Sequence, residues 1–490
     1  MKLDHQLCYA AIKSRDERFD GRFFSAVLTT GVYCRPICPA RLPRFENIRF
    51  FATAAAAAEA GFRPCLRCRP ESSPGTPDWQ GPSATVSRAL RLISEGVLDK
   101  FGVDEVAQRL NIGTRQLRRL FVQHLGASPL AVAQTRRNHF AKKLIDETDL
   151  PMSEIAFSAG FSSIRRFNAA FRKAYGKSPT ELRRVGKCTD SNSDDFQLHL
   201  RLSYRPPYDW QSLIQFLQAR AIPGVESVDE KRYRRTVQVG DEWGIIKVQP
   251  VESESHLLLS VPSNLSKGLI QIVERTRRLF DLNADPAEIM RHLQQDKMMA
   301  TIVQAYPGLR VPGAWDGFEI AIRAILGQQV SVKAATTFAG RLVKAYGEPL
   351  SIPDEDQLSF LFPRPEQLAA AELSGLGLTP KRIEAIRELA KAVRDGDLVL
   401  GTAIGLGKAT EPLMALPGVG PWTAHYIAIR ALGEPDAFPS GDLILRRAAA
   451  EIEGKTLTEA QLRQRAEMWR PWRSYAAMYL WKKYTNTQNR

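Results

Sequence analysis

Tyr33-Cys34-Arg35-Pro36-Ile37-Cys38 and, after a short alanine-rich stretch, Arg63-Pro64-Cys65-Leu66-Arg67-Cys68 hold four of the six cysteines of the chain as two close pairs. Two pairs at this spacing suit one tetrahedral Zn²⁺, because a soft d¹⁰ ion takes four thiolates and short loops present them two at a time. Arg35, Arg41, Arg63, Arg67 and Arg69 crowd the pairs. A knuckle that only braces a fold has no use for that charge, whereas a site that meets an anionic polymer does. On spacing alone a structural metal staple remains the plainer alternative. Thr53 is a good N-cap, Ala54 to Ala60 favour a helix and Gly61 suits its stop, so a short helix is expected to join the pairs.

Outward from this stretch, 490 residues exceed what one core organises, and two to four domains are expected. The net charge of +15, with a pI near 9.6, points to nucleic acid or an acidic surface. A hydrophobic fraction of 44% with 25% charged residues argues for a soluble globular chain rather than wholesale disorder. No apolar run approaches the ~20 residues that span a bilayer, and the first six residues lack the apolar core of a secretory signal. Cys8 and Cys188 stand far apart. Thiols that stay reduced, metal ligands rather than disulfides, a cytoplasmic location and no membrane partner follow as expectations.

The fold class expected is multidomain and mainly α. A cysteine unit, small and α+β, occupies 1–70, and 71–82 reads as a linker. Residues 83–186 read as all-helical and contain two similar pieces, starting at Val103 and Met152. Each has a short helix centred on Ala, a turn at Asn111 or Gly160, and a second helix with a basic face, about Thr114 to Gln123 and Ser163 to Lys173. That is a helix-turn-helix, twice, with Arg115, Arg118, Arg165 and Arg166 on the helices that would enter a major groove. A second linker, 187–195, leads to an α+β unit at 196–280, with strands expected at Phe196–Tyr204, Arg235–Val239, Gly244–Val251 and His256–Val261 and a helix around Asp209–Ala219. From about Leu265 the chain reads as helical to its end, and 281–490 forms the last domain.

Leu416-Pro-Gly-Val-Gly-Pro-Trp422 lies between two helical segments. A plain interhelical turn is one reading; the fuller string favours a helix-hairpin-helix, in which Leu416, Gly418 and Gly420 make a hairpin whose backbone N–H groups, at a helix N-terminus, are expected to bind a phosphate without reading a base. Twenty residues on, Asp442 stands before a hydrophobic run, where most aspartates are simply N-caps.

These strings carry resemblances. Gly160-Phe161, Phe167, Phe171-Arg172, Gly176 and Ser178-Pro179 resemble the signature of AraC-type transcription activators. Tyr33-Cys34-Arg35-Pro36 with Gly61-Phe62-Arg63-Pro64-Cys65 resembles the methylphosphotriester-sensing domain of the Ada adaptive-response regulator. The hairpin followed by Gly441-Asp442 resembles the base-excision glycosylase superfamily. Trp469 to Tyr475 and Ala324 to Val332 resemble its 3-methyladenine DNA glycosylase II (AlkA) branch.

The resemblances imply a bacterial, nucleoid-associated protein of the alkylation-damage response, with alkylated and promoter DNA and RNA polymerase as partners. They imply one Zn²⁺ on Cys34, Cys38, Cys65 and Cys68, with Cys34 as methyl acceptor and Thr30, Arg41 and Arg63 near DNA phosphates. Asp442 becomes the glycosylase carboxylate, Trp422, Tyr426 and Trp481 surround the flipped base, and Gln329 is the wedge, where the best-known member has leucine. Trp422 occupies the place where strand-cutting relatives carry a Schiff-base lysine, so a monofunctional glycosylase is expected. No cysteine follows Cys188, so no iron-sulfur cluster is expected. No Pro-Cys-His-Arg string occurs, so direct reversal of O6-methylguanine is not expected. The rival readings are a regulator whose C-terminal half only binds DNA, and a repair enzyme whose N-terminal half only tethers it.

Overall fold

Strand pairing in the cysteine unit explains how two distant pairs meet. In the computed structural model, which describes residues 3–74, 84–183, 197–252, 254–350, 357–400 and 406–488, Phe24–Val27 (β1), Val32–Cys34 (β2), Ile48–Phe51 (β3) and Arg63–Pro64 (β4) form a sheet in the order β3-β1-β2-β4. The β2–β4 pair is parallel, with Tyr33 opposite Pro64, which sets Cys34 beside Cys65. The helix Ala54–Glu59 (α1) is capped as its sequence implies: Thr53 Oγ1 accepts from the Ala56 N–H at 3.1 Å. The same hydroxyl donates to the Leu125 carbonyl at 2.9 Å, across to the next domain. Ala55 and Ala56 are buried against Ala127. A Cβ on Gly126 would lie 3.1 Å from that of Ala56, so the alanine run is a close-packing surface as well as a helix former.

The two helix-turn-helices are Val103–Arg109 (α2) with Thr114–Leu125 (α3), and, after the long helix Pro129–Glu147 (α4), Met152–Ser158 (α5) with Ile164–Tyr175 (α6). Leu117, Phe121 and Leu125 of α3 and Phe167, Phe171 and Tyr175 of α6 are buried, one face of each helix. Both expected turns take left-handed backbone, Asn111 at φ +52° and Gly160 at φ +84°. A Cβ on Gly160 would come within 2.6 Å of the Asp99 carboxylate, which itself receives Arg136 and Arg137 of α4. Glycine is therefore required there twice over, by conformation and by space.

Gln197–Ser203 (β5), Glu226–Val228 (β6), Tyr233–Val239 (β7), Glu242–Pro250 (β8) and His256–Pro262 (β9) make an antiparallel sheet in the order β5-β9-β8-β7-β6, with the helix Trp210–Gln218 (α7). The short β6 was not expected from its sequence, which alternates too briefly to register. Beyond it come the helices Gly317–Leu326 (α8), Val332–Tyr346 (α9), Leu406–Met414 (α10), Pro421–Arg430 (α11), Leu443–Glu453 (α12) and Arg473–Gln488 (α13). The helical reading after Leu265 needs one correction: Glu348–Pro349 (β10) and Phe360–Leu361 (β11) pair as a small antiparallel ladder. Four ionic groups, three of them buried and Arg323 half-buried, fasten the sheet to α8. Arg235 Nη2 lies 2.8 Å from Glu319, and Arg323 Nη1 lies 3.0 Å from Glu226 and 3.2 Å from Glu319.

Glu71, at the head of the expected linker, instead lies in the short 3-10 turn Pro70–Ser72 with its side chain buried. Arg69 at 3.4 Å and Lys142 at 3.8 Å approach its carboxylate, and burial still holds that carboxyl above its usual value. Residues 75–82, the whole of 187–195, and Cys188 lie outside the described residues. Among the described residues no helix is long and apolar enough to cross a membrane.

A second joint lies beside the cysteines, where the hydroxyl of fully buried Tyr33 stands 2.8 Å from Nε2 of His139 on α4. Burial holds the His139 imidazole down to about 4, whereas the unfolded chain titrates near 6.5. Between these values the unfolded state binds more protons, so this contribution to stability is complete above pH 6.5 and fades as pH falls toward 4. Urea unfolding followed across that range should show a loss of up to about 3 kcal/mol that His139→Gln removes. An equal pH slope in the variant would assign the dependence to other groups.

Candidate functional site

Two constellations carry chemistry, and the first is the cysteine cluster. The four Sγ atoms lie within 4.8 Å of one another. Thiolates around one tetrahedral Zn²⁺ at about 2.3 Å stand about 3.8 Å apart, so the donor set fits such an ion. Four negative charges at this separation repel strongly, and a full set of thiolates needs a cation among them. Hydrogen bonding to Cys34 holds Cys38 down to about 7 and Cys65 well below the usual thiol value. Cys34, bonded first to Cys38, and Cys68, bonded to Cys34, are pushed up.

The cysteines and their arginines are not equivalent. Cys34 and Cys68 are buried, while Cys38 and Cys65 are partly exposed, so the expected acceptor is among the less accessible of the four. Arg35 is turned inward: its Nε donates to Asp20 at 3.0 Å, its Nη1 to the Cys68 carbonyl at 3.2 Å, and its backbone N–H to Cys68 Sγ at 3.3 Å. Arg69 pairs with Asp146 at 2.9 Å. These two arginines therefore serve the fold, which the sequence reading missed because it counted charge without partners. Thr30, Arg41, Arg63 and Arg67 are exposed, as are Arg115, Arg118, Arg165 and Arg166 on α3 and α6. Cys8 is buried away from the cluster, its thiol pushed up to about 11 by that burial.

The second constellation lines an open cleft of about 1120 Å³ between α8, α9, α11, α12 and α13. Asp442 is the N-cap of α12, its Oδ1 accepting from the Leu445 N–H at 2.9 Å. That is the plain capping role, and it does not exhaust the side chain. Trp422 Nε1 donates to Oδ2 at 2.7 Å, and Trp481 Nε1 donates to Oδ1 at 3.2 Å. Two indoles and a helix N-terminus thus hold one carboxylate, nine-tenths buried, at the floor of the cleft. Trp422 and Tyr426 stack at 5.4 Å between centroids and 12° between planes, and Tyr426 meets Trp481 edge-on at 6.3 Å. The three aromatic residues named from the sequence are therefore brought together with Asp442.

Residues with no sequence signal complete the cleft. Phe216 and Arg220, at the end of α7, reach it from the α+β unit, with the Arg220 guanidinium 3.7 Å from the Phe216 ring centroid. Burial alone would raise the Tyr426 hydroxyl, but Arg430, Arg220 and Arg323 outweigh it and hold its pKa below the usual value. Gly418, at φ +73°, and Gly420 are exposed on the hairpin, with Leu416 half-buried behind them. Gln329 is exposed on the rim, at φ +53°.

Four family models match the chain. They are the metal binding domain of Ada over 7–71, a helix-turn-helix domain over 106–185, the AlkA N-terminal domain over 199–316, and the HhH-GPD superfamily base excision DNA repair protein over 322–474. A protein of Mycobacterium tuberculosis (strain ATCC 25618 / H37Rv) described as "Probable bifunctional transcriptional activator/DNA repair enzyme AlkA" is 44% identical over 480 residues, 98% of this chain and 96% of that protein. The chain belongs to this family of bifunctional transcriptional activator/DNA repair enzymes. The DNA-3-methyladenine glycosylase 2 of Escherichia coli (strain K12) is 36% identical over 283 residues, 57% of this chain and 95% of that protein. A solved 3-methyladenine DNA glycosylase from Archaeoglobus fulgidus superposes with a TM-score of 0.50 at 23% identity, over 58% of this chain and 98% of that one, which shows the shared fold. The chain thus joins an Ada-like regulatory part to an AlkA-like glycosylase part, with DNA as partner.

The donor set has a direct consequence. The family member purified without chelator should carry one thiolate-bound divalent ion per chain, released by a mercurial and counted with a metallochromic dye. Cys65→Ser should lose the ion, and an unchanged metal content would place it elsewhere.

Proposed function

We propose that the chain excises alkylated purines of the 3-methyladenine type from double-stranded DNA as a monofunctional glycosylase. We propose also that it accepts, irreversibly, one methyl group from a DNA methylphosphotriester on Cys34. The observation that supports the first activity best is the Asp442 carboxylate gripped by two indole N–H groups beneath stacked rings. Alkylation makes the base cationic, so the N-glycosidic bond breaks with its electron pair going to a base that leaves neutral. Positive charge develops on the sugar, and a fixed carboxylate stabilises it. Water then bonds to the anomeric carbon, with Asp442 orienting it and its proton passing to solvent. Trp422 and Trp481 offer electron-rich faces to the flipped cationic base. Glu226 and Glu319 offset the Arg323 charge nearby, which favours that attraction. Gly418 and Gly420 hold a phosphate, and Gln329 fills the gap left in the duplex.

In the regulatory part, Zn²⁺ on the four cysteines would keep their thiols deprotonated yet nucleophilic at neutral pH. The Cys34 sulfur bonds to the methyl carbon as the carbon–oxygen bond breaks. The electron pair stays on the phosphate oxygen, which regains its diester charge, and the cysteine becomes a thioether. One negative charge is thereby lost beside DNA, so Arg41, Arg63 and Thr30, with Arg115, Arg118, Arg165 and Arg166, bind more tightly. The promoter-bound protein then engages RNA polymerase.

Asp442→Asn should lower release of methylated bases from treated DNA by roughly 10²- to 10³-fold while DNA binding stays nearly intact. Undiminished release would sink the glycosylase reading in favour of DNA binding alone. For the acceptor, intact-mass analysis after incubation with methylated DNA should show a gain of one CH₂ that maps to Cys34. An unmodified Cys34 would leave the N-terminal half a tether.

A further inference from the structure

The loop between α8 and α9 holds two consecutive glutamines whose surroundings are opposite. Gln328 is fastened: its Nε2 donates at 2.9 Å to the Gly418 carbonyl and at 2.9 Å to Thr423 Oγ1, and Arg382 donates to its carbonyl. Just past the loop, Ser331 caps α9 by accepting from the Ala334 N–H at 3.2 Å. Gln329 between these anchors is exposed on the cleft that Asp442 also lines, in left-handed backbone at φ +53°, and its side chain makes no hydrogen bond among the described residues. A polar side chain is thus presented on a strained backbone that its neighbours lock to the hairpin. The hairpin grips phosphate, so the position of Gln329 against a bound duplex is set by the same contact.

A base that reaches Asp442 has left the stack, and its former partner keeps a pairing edge with no hydrogen bonds. An apolar side chain fills such a gap but leaves that edge unsatisfied, at a cost. A carboxamide carries a donor and an acceptor side by side. In one orientation it matches N3 and the amino group of cytosine, and rotated half a turn it matches N3–H and O4 of thymine.

We infer that the Gln329 carboxamide hydrogen-bonds the pairing edge of the pyrimidine left opposite the extruded nucleotide, which makes the opposite base a determinant of excision. This rests on the glycosylase reading above and adds a readout of the undamaged strand to it.

The test uses the full chain and duplexes that carry one N7-methylguanine opposite cytosine, thymine or an abasic-site analogue, with single-turnover release of the base as the measurement. Unpaired lesions flip more easily in any protein, so the quantity read is the rate opposite a pyrimidine divided by the rate opposite the analogue. That ratio should be about tenfold higher in the wild type than in Gln329→Leu. Gln329→Asn keeps an amide and tolerates left-handed backbone, so it should retain part of the difference. Affinity for duplexes with an abasic analogue in the lesion strand, opposite cytosine or opposite a second analogue, reads the same preference without catalysis. Equal ratios in the wild type and Gln329→Leu, with release intact, overturn this inference alone. No release by the wild type from any duplex, where Asp442→Asn is equally silent, overturns the glycosylase reading and this inference with it.

Discussion

A carboxylate taken out of water destabilises a fold by several kcal/mol unless its oxygens find hydrogen bonds. Asp442 finds three, from the Leu445 backbone and from the indoles of Trp422 and Trp481. Those donors come from α12, the helix after the hairpin, and the last helix of the chain. Satisfying one charge therefore fixes three helices against one another, and the aromatic cleft is the space they leave. The constraint that holds these helices together also fixes the carboxylate to which the proposed chemistry is assigned. An anion kept in place by fixed N–H dipoles needs little reorganisation when positive charge develops beside it.

Behind the cleft the pattern repeats with ion pairs. Arg235, Glu319, Glu226 and Arg323 satisfy one another between the sheet and α8. Breaking one partner of such a set leaves a buried charge, so the set specifies one orientation of sheet on helix. α8 then delivers the Gln328–Gln329 loop to the hairpin, and α7 delivers Phe216 and Arg220 to the cleft. The α+β unit is in this sense a wall of the site.

The cysteine unit is joined to the rest of the regulatory part by contacts rather than by chain connectivity alone. The Ala54–Glu59 helix packs on the corner between α3 and α4, Tyr33 meets His139, and Glu71 lies among Arg69, Lys142 and Asp146. Each of these reaches α4 or its N-terminal corner. That helix links the two helix-turn-helices, so the cysteine cluster sits one hydrogen bond away from the element that sets their spacing.

Features whose chemistry is local were legible in the sequence. The two cysteine pairs name their own donor set, the Leu-Pro-Gly-Val-Gly-Pro string encodes a hairpin through the backbone freedom of glycine, and Asp442 before an apolar run marks a helix start. The two Ala-centred pieces with basic second helices likewise show their period in the chain. Tertiary structure alone decided which groups answer which. The indoles that hold Asp442 stand 20 and 39 residues away from it, Arg35 turns inward to Asp20 rather than outward to DNA, and Glu71 is buried where its neighbours suggest a linker. A short strand such as β6 and a partner across the fold leave no period in a sequence. Hydrogen bonds between distant residues depend on how whole elements pack, which no local pattern of side chains encodes.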